Sequence, residues 1–132
     1  CGDLGSEAII EDLVALQAEG CRVLAVPGNV DEWEPDLIKY AAAIGLPLPR
    51  LQRWESDGIR FALTHGHDLR LLDALTADPH TDIVFTGHTH VADDRIEGSV
   101  RVLNPGALHR TPSPGYATFD TRTRTWHREA LS

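Results

Sequence analysis

Ile83-Val84-Phe85-Thr86-Gly87-His88-Thr89-His90 is the stretch on which the fold turns. Its first three residues are apolar without alternation, the pattern of a short strand covered on both faces inside an α/β sheet. The strand runs straight into a glycine and two imidazoles two residues apart, which share a face on extended chain. The same pattern returns at Val26-Pro27-Gly28-Asn29, Leu63-Thr64-His65-Gly66-His67 and Leu103-Asn104-Pro105-Gly106. Carboxyl ends of parallel strands gather along one edge of such a sheet, so the four loops are predicted to converge there. Asp3, at the head of the first helix, joins them if a strand precedes it.

Working outward, Ser6 caps a predicted helix whose Ile9, Ile10, Leu13 and Leu16 share a face, with Gly20 past its end. Val23-Leu24-Ala25-Val26 reads as a covered strand. A second helix is expected over 35–43, opened by Pro35 and followed by Gly45. Residues 51–55 and 59–63 flank Ser56-Asp57-Gly58 as a hairpin. A third helix is expected over 69–75, stopped before Asp78-Pro79. Further hairpins are expected around Glu97-Gly98-Ser99 and Thr121-Arg122-Thr123. Trp33, Trp54 and Trp126 are read as core or interface aromatics. The interleaving indicates an α/β domain spanning 1–132.

The chain has 132 residues, 20 acidic against 12 basic, a formal net charge of −8, and no methionine. Nine of the acids lie in residues 1–40, against Arg22 and Lys39 alone. Such a balance argues against long duplex nucleic acid as a partner. No run approaches about 18 apolar residues, so neither a membrane helix nor a membrane partner is expected. Cys1 and Cys21 form no metal-binding or scaffold spacing, which fits a reducing compartment, the cytoplasm being the expectation. A start at Cys1-Gly2-Asp3, in apparent mid-loop, leads us to expect an N-terminally incomplete domain.

The residues expected to converge are Asp3, Asn29, His65, His88 and His90. One carboxylate, one amide oxygen and three imidazoles suit borderline divalent ions, manganese first, with iron, nickel or zinc as alternatives. Five donors exceed one tetrahedral site, and a carboxylate can bridge two ions. His67 is a candidate to contact a phosphate or orient a ligand, and Asp31 to hold a ligand histidine by a hydrogen bond. Arg110 is a candidate for holding a substrate phosphate.

At Gly2-Asp3, Gly28-Asn29-Val30-Asp31, His65-Gly66-His67, Gly87-His88-Thr89-His90 and Asn104-Pro105-Gly106, the sequence resembles the calcineurin-like metallophosphoesterase superfamily, most closely its small bacterial and archaeal phosphodiesterase branch. The resemblance implies a four-layer sandwich, two β-sheets flanked by helices. It implies two divalent ions: Asp3 bridging, Asn29, His65 and His88 on one, His90 on the other. The remaining ligands, an Asp-x-His pair on a strand-helix-strand unit, are expected upstream of Cys1. The implied activity is hydrolysis of a small phosphodiester by in-line attack of a metal-bridging hydroxide, in a chain free to form a homo-oligomer. Val30 departs from the family, where larger members have histidine and this branch often has cysteine, so leaving-group protonation is expected from water, a metal-bound species or another group such as His67; His67 and Asp31 are the candidate catalytic residues. The alternative is a non-catalytic scaffold like the retromer subunit that shares the fold but has lost ligands.

Overall fold

The computed structural model describes residues 1–132. Its centre is a five-stranded sheet in the order β1-β2-β3-β5-β4. Strands β1 (Gln52–Ser56) and β2 (Ile59–Leu63) pair antiparallel around Asp57-Gly58. Both turn residues have positive φ, as the right-handed twist of a two-residue hairpin requires. Strands β2, β3 (Ile83–Phe85) and β5 (Val100–Asn104) run parallel, with Leu63, Phe85 and Leu103 in register. Strand β4 (Asp93–Glu97) closes the edge antiparallel to β5. The ladder extends past the strand ends: Thr64 N–H donates to Phe85 O, Thr86 N–H to Leu103 O, and Gly87 N–H to His65 O. Three neighbouring carboxyl ends therefore deliver the histidine loops and the Asn-Pro-Gly loop to one edge.

Each face of this sheet is covered by a different element. Helix α4 (Leu69–Thr76), capped by Asp68, sets Leu71, Leu72 and Leu75 against Ala62, Val84, Val100 and Val102. The opposite face meets a two-stranded ribbon, β6 (Gly115–Asp120) with β7 (Thr125–Ala130). Phe119 and Trp126 of the ribbon pack on Ile59, Phe61, Ile83 and Leu103. Trp54 stacks on Phe61 at 5.1 Å and Phe61 on Phe85 at 5.6 Å, while Phe119 meets Phe61 edge-on at 5.7 Å. Such pairs add about 0.5–1.5 kcal/mol each beyond burial. The expected mixed α/β architecture with two sheets is therefore present; Trp54 and Trp126 are half-buried against this core, while Trp33 is exposed and is not a core residue.

Helices α1 (Glu7–Ala18) and α3 (Pro35–Ala43) fall where the sequence predicts them, α1 capped by Ser6. They share a smaller core with Ala25, Leu46 and Leu48. The buried face of α1 is Ile10, Leu13 and Val14, rather than the face containing Ile9 and Leu16, both of which are exposed. Two further expectations are corrected. Val23-Leu24-Ala25-Val26 is not a strand. Ala25 and Val26 are buried, yet no strand pairs with the segment, and Ala25 O instead accepts from the Gln52 side chain. An apolar run specifies burial, but a strand also needs a neighbour for its backbone. Conversely, Asn29–Glu32, read as loop, forms the one-turn helix α2.

Candidate functional site

The site assembles around His65, which leaves the end of β2 with only 3% of its surface exposed. Its Nδ1 lies 2.6 Å from the Cys1 carbonyl oxygen. A carbonyl only accepts, so Nδ1 carries the proton and donates. Burial, partly opposed by the Asp3 carboxylate and reinforced by the His88 and His67 rings and the N-terminal amine, pushes the His65 pKa down to about 4. The ring is therefore neutral at pH 7, and Nε2 presents a lone pair.

That lone pair faces other acceptors. Asn29 Oδ1 is 3.0 Å from Nε2, His88 Nδ1 3.3 Å and Asp3 Oδ2 3.4 Å. Asn29 can relieve one contact by presenting its NH₂ group, and His88 another by protonating Nδ1. Asp3 has no such option as a carboxylate. Donors about 2.1 Å from a shared divalent ion stand about 3.0 Å apart at right angles and about 3.4 Å apart at tetrahedral angles. The observed spacings fall in that interval. Asp3 Oδ2, Asn29 Oδ1 and His88 Nδ1 each stand from His65 Nε2 at the separation that co-ligands of one borderline divalent ion would have, and the Nδ1–H of His65 is donated to a backbone carbonyl, as in metal-bound imidazoles. As placed, the histidine and carboxylate side chains alone do not close a three-donor cage.

The backbone holds these donors at some cost. Asp3, His88 and His90 all have positive φ, at 56°, 67° and 61°. For residues with a Cβ this left-handed conformation costs of order 1 kcal/mol and persists only where surroundings enforce it. Asn104 enforces it at the histidine loop. Its buried side chain donates to Gly87 O at 2.8 Å and Thr89 Oγ1 at 3.1 Å, and accepts from Gly106 N–H at 2.9 Å. At the other loop, a Cβ on Gly28 would run into the carboxylate and backbone of Asp3, which explains the glycine.

Asp31 behaves differently from its expected role. It is fully buried and touches no histidine. Its Oδ2 accepts from the backbone N–H of Leu4 and Gly28 and its Oδ1 from that of Gly5, all at 2.9 Å. It thus clamps the Asp3 loop to the Asn29 loop. With three backbone amides on it and no hydrogen bond to a histidine, Asp31 ties two loops together, which corrects its reading as the partner of a ligand histidine.

His67 lies beside the cluster, its ring 5.3 Å from His65 and 6.0 Å from His88 between centroids. Nε2 is 3.3 Å from Glu32 Oε2, and Nδ1 is buried with no hydrogen-bond partner. Arg50 Nε pairs with Glu32 Oε1 at 2.9 Å, though off the line of a hydrogen bond. Glu32 and Arg50 have no counterpart among the sequence candidates; a contact across 35 residues leaves no spacing to read. His90 lines the same cleft of about 460 Å³ as Asp3, His65 and His88, and no hydrogen bond links its ring to theirs. Leu108 and His109 line the cleft as well, while Arg110 is exposed, has φ of 55° and is outside the lining. No helix in the structure is long and apolar enough to cross a membrane.

Comparison with known proteins follows the same outline. The family model for the calcineurin-like phosphoesterase superfamily domain matches residues 1–124. Phosphodiesterase MJ0936 of Methanocaldococcus jannaschii is 27% identical over 140 residues, covering 99% of this chain and 80% of that protein. A probable metallophosphoesterase of Methanothermobacter thermautotrophicus is 30% identical over 111 residues, 80% of this chain and 56% of that protein. Among solved structures, an archaeal phosphodiesterase superposes with a TM-score of 0.81 at 27% identity, covering 99% of this chain and 80% of its own. Vacuolar Protein Sorting 29 from Cryptosporidium parvum superposes at 0.65 with 20% identity, over 98% of this chain and 77% of its own, a likeness of fold alone.

Proposed function

Since the chain belongs to the calcineurin-like phosphoesterase superfamily, we propose that it acts as a metal-dependent phosphodiesterase on small diesters. The observation that carries this reading is the lone pair of His65 turned toward Asp3 Oδ2 and Asn29 Oδ1. Two neutralising divalent ions, manganese first, supply water activation and charge neutralisation at phosphorus when bound, for displacement in line with the leaving oxygen. Asp3, Asn29, His65 and His88 would hold one ion, and Asp3 with His90 would contribute to the other. The site's own side chains do the rest. His67, its Nε2 beside Glu32 and its ring 5.3 Å from that of His65, is proposed to orient the ligand rings. Asn104 and Asp31 hold the two loops in place, so donors need not reorganise as the substrate gains charge. Arg110 is proposed as an outer contact for the substrate phosphate.

Val30 can transfer no proton. Diesters with good leaving groups are therefore the favoured class, since alkoxide departure gains most from a general acid. Manganese-dependent hydrolysis of bis-p-nitrophenyl phosphate by the wild type and by His88→Ala tests the proposal. Loss of at least about a hundredfold in the variant, and reversible inactivation by EDTA, are expected. Equal rates for both proteins would refute it. A purely structural role, as in a scaffold, is disfavoured by the intact donor set at Asn29, His65 and His88.

A further inference from the structure

Between β5 and β6 the chain runs through residues 105–114 without helix or strand. This strap is part of the wall of the cleft: Pro105, Gly106, Leu108 and His109 line it together with Asp3, His65, His88 and His90. Its tip has little to hold it. Leu108, His109 and Arg110 are exposed, and Thr111 Oγ1 reaches His90 O only by a long bond of 3.4 Å. The two roots of the strap, by contrast, are held by one side chain of the ribbon. Arg128 on β7 donates from Nε to Pro105 O at 2.9 Å and from Nη2 to Ser113 O at 2.5 Å, with Nη1 3.4 Å from Ser113 Oγ. Two glycines make room for the guanidinium: a Cβ on Gly115 would stand 2.7 Å from Nη2, and one on Gly106 3.5 Å from it. Arg53, Arg60, Arg95 and Arg101 each pair with a carboxylate, whereas the hydrogen bonds of Arg128 all go to the strap.

We propose that Arg128 is a positioning residue for the reaction, fixing both roots of the strap so that the cleft wall carrying Leu108 and His109 is in place before a diester enters. This rests on the phosphodiesterase reading above and deepens it. A planar fork suits the task, because acceptors at two places in the chain need donors in two fixed directions, which a single ammonium does not supply. Without the fork the strap gains conformational freedom, and the substrate must remove that freedom again on binding. The candidate metal donors are held by other side chains. Asp31 fastens the Asp3 loop and Asn104 the histidine loop, and neither is hydrogen-bonded to Arg128. Loss of Arg128 therefore weakens substrate binding and spares the chemical step.

The test uses the full chain with Arg128→Met, which keeps an unbranched stem without donors, and Arg128→Lys, which keeps the charge. With bis-p-nitrophenyl phosphate at saturating manganese, KM rises about tenfold in both variants and kcat stays within about threefold. That is the result expected when the competent strap falls to about a tenth of the molecules. In metal-free protein the Gly106 and Gly115 amides exchange faster in both variants, while Leu4, Gly5 and Gly28 keep wild-type protection. A KM within about twofold of wild type in Arg128→Met overturns the proposal, and so does wild-type KM in Arg128→Lys, which would make charge rather than the fork the cause. Exchange raised equally at Leu4, Gly5 and Gly28, or a fall in kcat at unchanged KM, overturns it as well. If Arg128→Met does not fold, Arg128→Lys decides by the same two readings. Failure of wild type to hydrolyse any diester refutes the phosphodiesterase reading instead, and exchange at Gly106 and Gly115 then decides the role of Arg128 alone.

Discussion

Replacing Asp31 separates a fastening role from a chemical one. Its carboxylate accepts three backbone N–H groups at 2.9 Å, two on Oδ2 and one on Oδ1, and is fully buried. In Asp31→Asn the amide oxygen can replace Oδ2 and keep the bonds from Leu4 and Gly28. The new NH₂ then points at the Gly5 N–H, donor against donor. With a charge-assisted bond lost and a donor unsatisfied, the cost is about 2 kcal/mol. Asp31→Ala strips all three amides. At roughly 1–3 kcal/mol each, reduced where water reaches Leu4 and Gly5, the loss is about 3–6 kcal/mol. A domain this size has roughly 5–15 kcal/mol in total, so the alanine variant sits near the edge of folding and the asparagine variant does not. Urea denaturation followed by circular dichroism reads both costs. Amide hydrogen exchange reads their location, with protection lost first at Leu4, Gly5 and Gly28. Because Asp3 adjoins Leu4, manganese-dependent turnover should fall in Asp31→Asn even under conditions where the variant is fully folded. An Asp31→Ala midpoint within about 0.5 kcal/mol of wild type, a typical surface substitution, would sink the reasoning.

Gly28→Ala puts a methyl where the Asp3 carboxylate and backbone stand, so turnover should drop by about a hundredfold while far-UV circular dichroism stays native; activity within threefold of wild type would show that the close approach is dispensable. His88→Gly should be more stable than His88→Ala by about 1 kcal/mol, because φ of 67° strains alanine and not glycine. The opposite order in urea melts would mean that the loop relaxes out of this conformation. The Arg60 guanidinium and N–H hold the Asp82 carboxyl down to about 2. A depressed carboxylate contributes stability above its unfolded value near 3.9 and loses it as pH falls toward 2. The gap in Tm between wild type and Asp82→Asn should therefore be small at pH 7, since the pair is largely exposed, and close by pH 2; a gap independent of pH would point to packing instead.

The parts of the fold legible in sequence are those with a local signature. Ile83-Val84-Phe85 announces a strand buried on both sides, and Asp57-Gly58 a tight hairpin. Parallel order then carries His65, His88 and the Asn104 loop to one edge, because neighbouring strands in register end together. What escaped reading depends on partners distant in sequence. Val23–Val26 carries the same apolar signal as β3 but has no strand beside it. Helix α2 is one turn long and offers no periodicity. Asp31 stands where a cap or a histidine partner is equally plausible; it caps the start of α2 through Gly28 N–H, and only the approach of Leu4 and Gly5 across 26 residues or more shows that it also ties in the Asp3 loop. Glu32 and His67, 35 residues apart, meet for the same reason.

The same distance explains why the site can be strained and still well formed. Asp3, His88 and His90 occupy left-handed backbone without the freedom of glycine. Each would relax if its loop were free. Asp31 prevents this on one side with three amides from two loops, and Asn104 on the other with contacts to Gly87, Thr89 and Gly106. These fasteners contain none of the candidate donor atoms, and all but the Asn104–Thr89 hydroxyl contact act on backbone, so their energy does not depend on what the donors hold. The order of a few kcal/mol they supply exceeds the roughly 1 kcal/mol that each left-handed residue costs, so the donor atoms of Asp3, His65 and His88 stand ready before any ion or substrate arrives. Ordering two loops at the moment of binding would subtract from affinity, so an ion taken by these side chains would bind without that cost.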